Sequence, residues 1–186
     1  LVICLVCSAL LAGVYALTAG PIADAAKAKN EAAIKEVLPE AAVTIEEEKA
    51  IEVDGLTYTY NRAFDQQGNT VGCAVNVNAQ GFGGPIGIKV GFDVNGTIWN
   101  TKVLSQAETP GLGAKCVEPS FSDQFRNFDP AQKKLAVRKD GGDVDAITAS
   151  TITSRAYASG VADAVKVFAA IVGTPMPLDC RTGATE

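Results

Sequence analysis

The stretch PIGIKVGFDVNGTIWNTKVL, residues 85–104, decides the fold of this chain. In its first half, Ile86, Ile88, Val90 and Phe92 recur at every second position, which predicts a β-strand with one buried face. Asn95-Gly96 follows, and both residue types tolerate the positive φ angles of a tight hairpin turn. The remainder predicts the returning strand, so the stretch as a whole predicts an antiparallel hairpin.

Weaker strand patterns precede this hairpin. Residues 43–53 alternate weakly, and residues 56–60 alternate threonine with apolar and aromatic residues. Cys73, Val75 and Val77 share a two-residue period. Together with the hairpin, these segments predict an antiparallel meander.

Helical patterns dominate after the hairpin. Residues 120–128 predict a short helix and residues 135–137 a short strand. A long helix is predicted to begin near residues 150–153, with apolar residues three or four apart, and to end at Gly173. A sheet followed by a packing helix predicts the α+β class.

The N-terminus predicts a membrane anchor. Residues 1–23 contain no Asp, Glu, Lys or Arg, and Asp24 is the first charged residue. As an α-helix these 23 residues would be roughly 34 Å long, enough to cross a bilayer. A cleaved signal peptide is the alternative interpretation. Residues 24–40 predict a stalk helix, residues 41–174 one globular domain, and residues 175–186 a tail.

Composition excludes several classes of function. A net charge of −5 gives no basic surface for nucleic acid. The sequence contains no histidine, which excludes histidine-ligated haem or zinc and a Ser-His-Asp triad supplied by this chain. We expect no metal site and no catalytic residue.

The turn Glu108-Thr109-Pro110-Gly111-Leu112-Gly113 is the best candidate for a ligand contact. Proline fixes one φ angle, and the two glycines let a flat group approach the main chain without meeting a Cβ atom. A second glycine-rich segment, residues 81–84, leads into the clearest strand. By itself that segment predicts only a bulge or tight turn.

Hydroxyl side chains crowd the start of the long helix. They are Thr148, Ser150, Thr151, Thr153 and Ser154. One hydroxyl is enough to cap a helix, whereas free N–H groups, the helix dipole and further hydroxyls together favour a phosphate. We therefore predict an anion site here.

The order of these motifs resembles the flavin-binding domain of the RnfG family, the G subunits of the Rnf ion-translocating ferredoxin:NAD oxidoreductase. The chain carries a Gly-rich patch, the hairpin, E-T-P-G-L-G, D-G-G and D-A-I-T-A-S-T-I-T-S-R-A in that order. The related NqrC family shares the domain. The resemblance covers essentially the whole chain, including the single anchor. It implies an antiparallel-sheet-plus-helix FMN-binding domain whose FMN is joined to a threonine by a phosphoester, placed by a separate flavin transferase.

The resemblance puts the acceptor threonine at the end of a D-x-x-[S/T]-G-A-T motif, and two segments match. Ahead of the long helix the matching position is Thr151, although Ala149 and Ser150 replace the expected Gly and Ala. Residues 179–185 match in full and end in Thr185. We predict Thr185 as the covalent acceptor, with Thr151 as the alternative acceptor or a phosphate contact.

Further site residues follow from the same resemblance. The predicted ring contacts are Glu108, Thr109, Leu112 and Gly113, and the predicted phosphate residues are Thr148, Ser150 and Thr153. A disulfide from Cys180 to Cys116 would hold the tail near the turn, and Cys73 is an equal candidate partner, since spacing does not decide connectivity.

The resemblance implies a covalent-FMN electron-transfer subunit of an Rnf-type complex in the cell membrane. Its partners would be the other subunits, and its single-pass domain would lie on the extracytoplasmic side. An NqrC-like component of a Na-translocating NADH:quinone reductase is the alternative within the class. A non-redox, membrane-tethered module that binds a phosphorylated ligand is the alternative outside it.

Overall fold

The computed structural model describes residues 2–173. The chain divides into two units between Ala32 and Ala33. The first helix, α1, spans Val2–Val37 and contains Pro21. It ends two residues before Pro39, as expected from the restriction that proline imposes on the residue before it.

Helix α1 carries the membrane signal. Within the described residues it is the one helix that is long and apolar enough to cross a membrane, by length and composition, and none of its most apolar window is buried. The helix continues without interruption from residues 2–23 into residues 24–37. The division of this segment into an anchor and a stalk stays a prediction.

The second unit is built on a six-stranded antiparallel sheet, which confirms the α+β class. The strands are β1 Thr44–Ile45, β2 Lys49–Val53, β3 Leu56–Phe64, β4 Thr70–Gln80, β5 Pro85–Asp93 and β6 Ile98–Ser105. Their order is β1-β3-β4-β5-β6, and β2 also pairs with β3. Val90 lies opposite both Val75 of β4 and Thr101 of β6, so the predicted hairpin contributes two adjacent strands.

The hairpin turn is longer than the Asn95-Gly96 pair predicts. Strand β5 ends at Asp93, whose carboxylate accepts hydrogen bonds from the N–H groups of Asn95 and Thr97, each at 2.9 Å. Gly96 adopts a φ angle of 86°. An aspartate that bonds to the following backbone groups is a common way to fix a turn of this kind.

The long helix, α3, spans Thr151–Val172 and packs on one face of the sheet. A Cβ on Gly160 would lie 2.9 Å from the Ala79 Cβ, so the helix and β4 approach closely at this glycine. Phe92 stacks on Phe168 with ring centroids 4.8 Å apart. Gly173 ends the helix with a φ angle of 71°, as predicted from its residue type.

The opposite face of the sheet receives the end of α1. Ile34, Val37 and Leu38 form a small buried cluster with Ala63 and Ala74. A Cβ on Gly91 would overlap the carbonyl oxygen of Val37. Only glycine permits this contact, so the packing of the end of α1 on β5 requires a glycine at position 91.

Shorter elements join β6 to α3. They are a 3₁₀ turn at Gly113–Val117, α2 at Pro119–Ser122, and 3₁₀ turns at Asp123–Phe125 and Arg138–Asp140. The predicted helix at residues 120–128 is therefore shorter than expected. The predicted strand at residues 135–137 is wrong, because Val137 makes an isolated bridge to Val144 within a narrow loop.

One lysine lies inside the domain. Lys89 of β5 is completely buried, and its Nζ donates to Asn61 Oδ1 at 3.4 Å. Burial lowers the pKa of Lys89 to about 8, a shift that the charge of Glu48 only partly opposes. The folded state therefore carries a desolvation cost for holding this ammonium group.

We expect Lys89→Met to stabilise the domain at pH 7 by about 2 kcal/mol, because it removes a buried charge and keeps a side chain of similar size and shape. The folded pKa of about 8 lies below the ordinary 10.5, so the unfolded state binds more protons between those values. Wild-type stability should therefore rise with pH across that window, and the variant should lose this rise.

Urea unfolding in detergent, followed by the fluorescence of the single tryptophan, Trp99, measures both effects. Lys134→Met is the control, since Lys134 is exposed. A Lys89→Met protein that is less stable than wild type at pH 7 would contradict the expectation.

Candidate functional site

Three segments surround a cavity of about 470 Å³ at one end of the sheet. They are the glycine-rich loop between β4 and β5, the turn after β6, and the start of α3. The lining residues are Phe82, Glu108, Thr109, Leu112, Gly113, Ala149, Ser150, Thr151, Ile152 and Thr153. This volume lies in the range of small-molecule and cofactor sites.

Strand register explains why these segments meet. Gln80 at the end of β4 lies opposite Pro85 at the start of β5, and Gly87 lies opposite Ser105 at the end of β6. The loop at 81–84 and the turn at 108–113 therefore leave the same end of the sheet. The start of α3 joins them through a hydrogen bond to the turn.

Glu108 connects all three segments. Its side chain accepts a hydrogen bond from the Gly83 N–H at 2.9 Å and another from the Thr153 hydroxyl at 2.6 Å. The residue is 6% exposed. A Cβ on Gly81 or Gly113 would overlap the carboxylate, so both glycines are needed to close the chain around it.

The predicted turn is present and presents its backbone. Both the Leu112 and the Ala114 N–H groups donate to the Thr109 carbonyl at 3.2 Å. Gly111 has a φ angle of 77°, which favours glycine. Thr109 and Leu112 are exposed at the cavity, whereas Gly113 is buried beneath it.

The hydroxyl groups at the start of α3 have separate roles. Ser154 donates to the Ser150 carbonyl and accepts from the Ile147 N–H, both at 2.9 Å. The Thr153 hydroxyl donates to Glu108. No side-chain hydrogen bond caps the helix, and the hydroxyls of Ser150 and Thr151 bond to no residue within 2–173.

The first backbone N–H groups of α3 are candidates for binding an anion. The first helical hydrogen bond runs from the Ser154 N–H to the Ser150 carbonyl at 3.1 Å. The N–H groups of Thr151, Ile152 and Thr153 precede it and lack a helical acceptor. Free N–H groups at the positive end of a 22-residue helix attract an anion.

Ala149 occupies a backbone conformation that glycine favours. Its φ angle is 62°, in the left-handed region, which costs an alanine roughly 1–2 kcal/mol. The chain thereby reverses direction just before the α3 N-terminus. This is the position where the sequence motif predicts glycine, so the chain keeps the shape of the motif with a different residue.

Seven of the predicted site residues line this one cavity. They are Glu108, Thr109, Leu112, Gly113, Ser150, Thr151 and Thr153. Thr148 is exposed and does not line it. Thr185 lies outside the described residues. The individual roles in binding a ring or a phosphate stay predictions.

Phe82 and Ile152 also line the cavity and were missed from the sequence. Phe82 is 71% exposed and Ile152 is 53% exposed. A feature of the sequence could have indicated each of them. Phe82 is a large apolar residue within a glycine-rich loop, and Ile152 does not belong to the apolar stripe that packs α3 on the sheet. Together with Leu112 they give the cavity an apolar rim, which suits a flat aromatic ligand.

The cysteines near this region are buried thiols. Burial raises the pKa of Cys116 to about 11, with a further contribution from Glu108, and raises that of Cys73 to about 12. Neither forms a disulfide with a described residue. Cys180 lies outside the described residues, so its predicted pairing stays a prediction.

Comparisons with known proteins place the chain in a family. Residues 81–166 match the FMN-binding domain family. The chain is 36% identical to the G subunit of the ion-translocating oxidoreductase complex of Methanosarcina acetivorans, over 92% of this chain and 92% of that protein. It is 33% identical to the protein of the same name from Pasteurella multocida, over 86% and 85% of the two chains.

A solved structure shares the fold. The crystal structure of the C subunit of the Na(+)-translocating NADH-quinone reductase from Parabacteroides distasonis superposes with a TM-score of 0.52 and 22% sequence identity. The match covers 80% of this chain and 84% of that one. At this identity, the similarity establishes the fold alone.

We expect Ala149→Gly to stabilise the domain by about 0.5–1 kcal/mol, because glycine adopts the left-handed conformation without steric cost. Ala170→Gly, on the exposed side of α3, is the matched control and should destabilise by about 1 kcal/mol. Urea unfolding followed by Trp99 fluorescence measures both changes. Destabilisation by both glycines to the same extent would contradict the strain at position 149.

Proposed function

We propose that this chain, which belongs to the G-subunit family of ion-translocating oxidoreductase complexes, is a membrane-anchored electron relay. It would carry covalent FMN in the cavity at the start of α3. The observation that carries the proposal is the position of Thr151, which lines the cavity closed by Glu108. Its hydroxyl bonds to no residue within 2–173, and it lies beside the first N–H groups of α3, which have no helical acceptor.

The residues present suit FMN. Its phosphate would lie at the α3 N-terminus, where Ser150, Thr151 and three N–H groups can donate hydrogen bonds. Its ring system would lie against the 108–113 turn and the apolar rim formed by Phe82, Leu112 and Ile152. When bound, the flavin supplies the capacity to accept and release electrons singly. The chain itself supplies placement and electrostatic environment.

We place the phosphoester on Thr151. Three features of the described chain support this choice: the left-handed backbone at position 149, the unbonded hydroxyl of Thr151, and the position of this residue on the cavity wall. Thr185, favoured by its complete sequence motif, lies outside the described residues and remains the competing acceptor. A dedicated flavin transferase would form the bond.

Thr151→Val should abolish covalent flavin, because valine keeps the shape of threonine but has no hydroxyl to esterify. Thr185→Val should retain it. Each variant is coexpressed with a flavin transferase, and the denatured protein is examined by in-gel ultraviolet fluorescence and intact mass. Thr148→Val is the matched control, since its hydroxyl lies outside the cavity lining.

The reverse pattern, with fluorescence lost only from Thr185→Val, would move the acceptor to the tail. A dark wild-type band would reject covalent FMN and favour a module that binds a phosphorylated ligand without a bond. Because the fluorescence is measured after denaturation, it separates attachment from tight binding.

We propose that the domain lies on the extracytoplasmic side, with α1 as a single-pass anchor in the cell membrane. The apolar character of α1 supports the anchor, and the resemblance to the family supports the side. In that position the chain would pass electrons between other subunits of the complex. Ion movement would take place in partner subunits, since one apolar helix offers no pathway through the bilayer.

A C-terminal alkaline phosphatase fusion of the full chain should be active in cells, and a green fluorescent protein fusion exported by the same route should be dark. Both reporters depend on the compartment in which the C-terminus matures. Fusions to a known cytoplasmic-facing protein serve as controls. An inactive phosphatase fusion together with a bright fluorescent fusion would place the domain in the cytoplasm.

A further inference from the structure

Glu108 is a carboxylate enclosed by donors and by glycines. One donor is the Gly83 N–H and the other is the Thr153 hydroxyl, at 2.9 and 2.6 Å. The Gly83 N–H bonds to one carboxyl oxygen and the Thr153 hydroxyl to the other, so both oxygens are engaged. Gly81 and Gly113 lie so close that neither tolerates a Cβ.

No cation neutralises this carboxylate within the described part of the chain. The ion pairs there involve other acids, such as Asp140 with Arg155 and Asp145 with Arg138. Glu108 is nevertheless 6% exposed, and a charge removed from water without a counter-charge is costly. The two donors and the nearby positive end of α3 are what compensate it.

We infer that Glu108 acts as a fixed negative charge at the flavin cavity and lowers the reduction potential of the cofactor; this inference rests on the proposed function. Reduction adds negative charge to the site unless a proton follows each electron. A carboxylate in the cavity wall, shielded from water, disfavours that added charge more strongly than an exposed one would. Oxidised flavin is thereby favoured.

A purely structural role predicts a different response to substitution. Glu108→Gln keeps the size of the side chain, can still accept from Gly83 and can donate to Thr153, but it carries no charge. Thr153→Val keeps the charge and removes one of the two donors. If Glu108 only braced the turn, the valine variant would disturb the site and the glutamine variant would leave it almost unchanged.

The charge role predicts shifts of opposite sign. Glu108→Gln should raise the reduction potential, with about a tenfold increase in the ratio of reduced to oxidised flavin at fixed potential, or about 59 mV for a one-electron couple. Thr153→Val should lower the potential, because the carboxylate loses a donor that disperses its charge. Glu52→Gln, an exposed residue of β2 outside the cavity, is the matched control and should leave it unchanged.

The measurement is a dye-equilibrated reductive titration of the full-length flavinylated protein in detergent, followed by flavin absorbance. In-gel fluorescence gives the flavin content of each variant, and Trp99 fluorescence reports folding. The titration is restricted to the flavinylated fraction, so partial loading does not affect the result.

An unchanged potential in Glu108→Gln, or a raised potential in Thr153→Val, would overturn the inference while leaving the proposed function in place. If Glu108→Gln cannot be loaded with flavin, the sign of the shift in Thr153→Val decides alone. Wild-type protein without covalent flavin would overturn the proposed function, and the inference with it.

Discussion

The site depends on one pair of hydrogen bonds, those that Glu108 accepts from Gly83 and Thr153. The three segments that they join are far apart in sequence, and the strand register already brings two of them to the same end of the sheet. The carboxylate links these two segments to the start of α3. Together the three segments form the wall of one cavity. Gly81 and Gly113 are glycines because the carboxylate occupies the space that a Cβ would need.

The sheet supplies the rigid frame for this arrangement. Strands β4, β5 and β6 end in register, so both loops emerge at the same end, and α3 is fixed across the face by close contacts at Gly160 and Phe168. Functional side chains held by a packed scaffold keep their geometry better than those on independent loops. The end of α1 packs on the other face at Gly91, so the central strand is covered on both sides.

Much of this could be predicted from the sequence, because the strongest patterns are local. The two-residue period of β5 and the apolar stripe of α3 predicted the bounds of these elements nearly to the residue. The E-T-P-G-L-G segment, predicted as an exposed turn from its proline and glycines, forms a turn at the cavity. What escaped prediction is long-range. The Glu108 to Thr153 bond spans 45 positions, and no pattern within a window indicates that an acid in a turn will be buried. The strand predicted at residues 135–137 failed because three apolar residues fit a narrow loop as well as a sheet.

The hydroxyl residues at the start of α3 contact different neighbours because they point in different directions around the helix axis. Successive residues of an α-helix are rotated by about 100°, so Thr151 faces the cavity, Thr153 reaches Glu108 and Ser154 turns back toward Ile147. Substitution by another hydroxyl residue preserves this assignment, whereas inserting or deleting one residue rotates every later side chain to a different neighbour. The segment should therefore tolerate the exchange of one hydroxyl residue for another far better than a change of length.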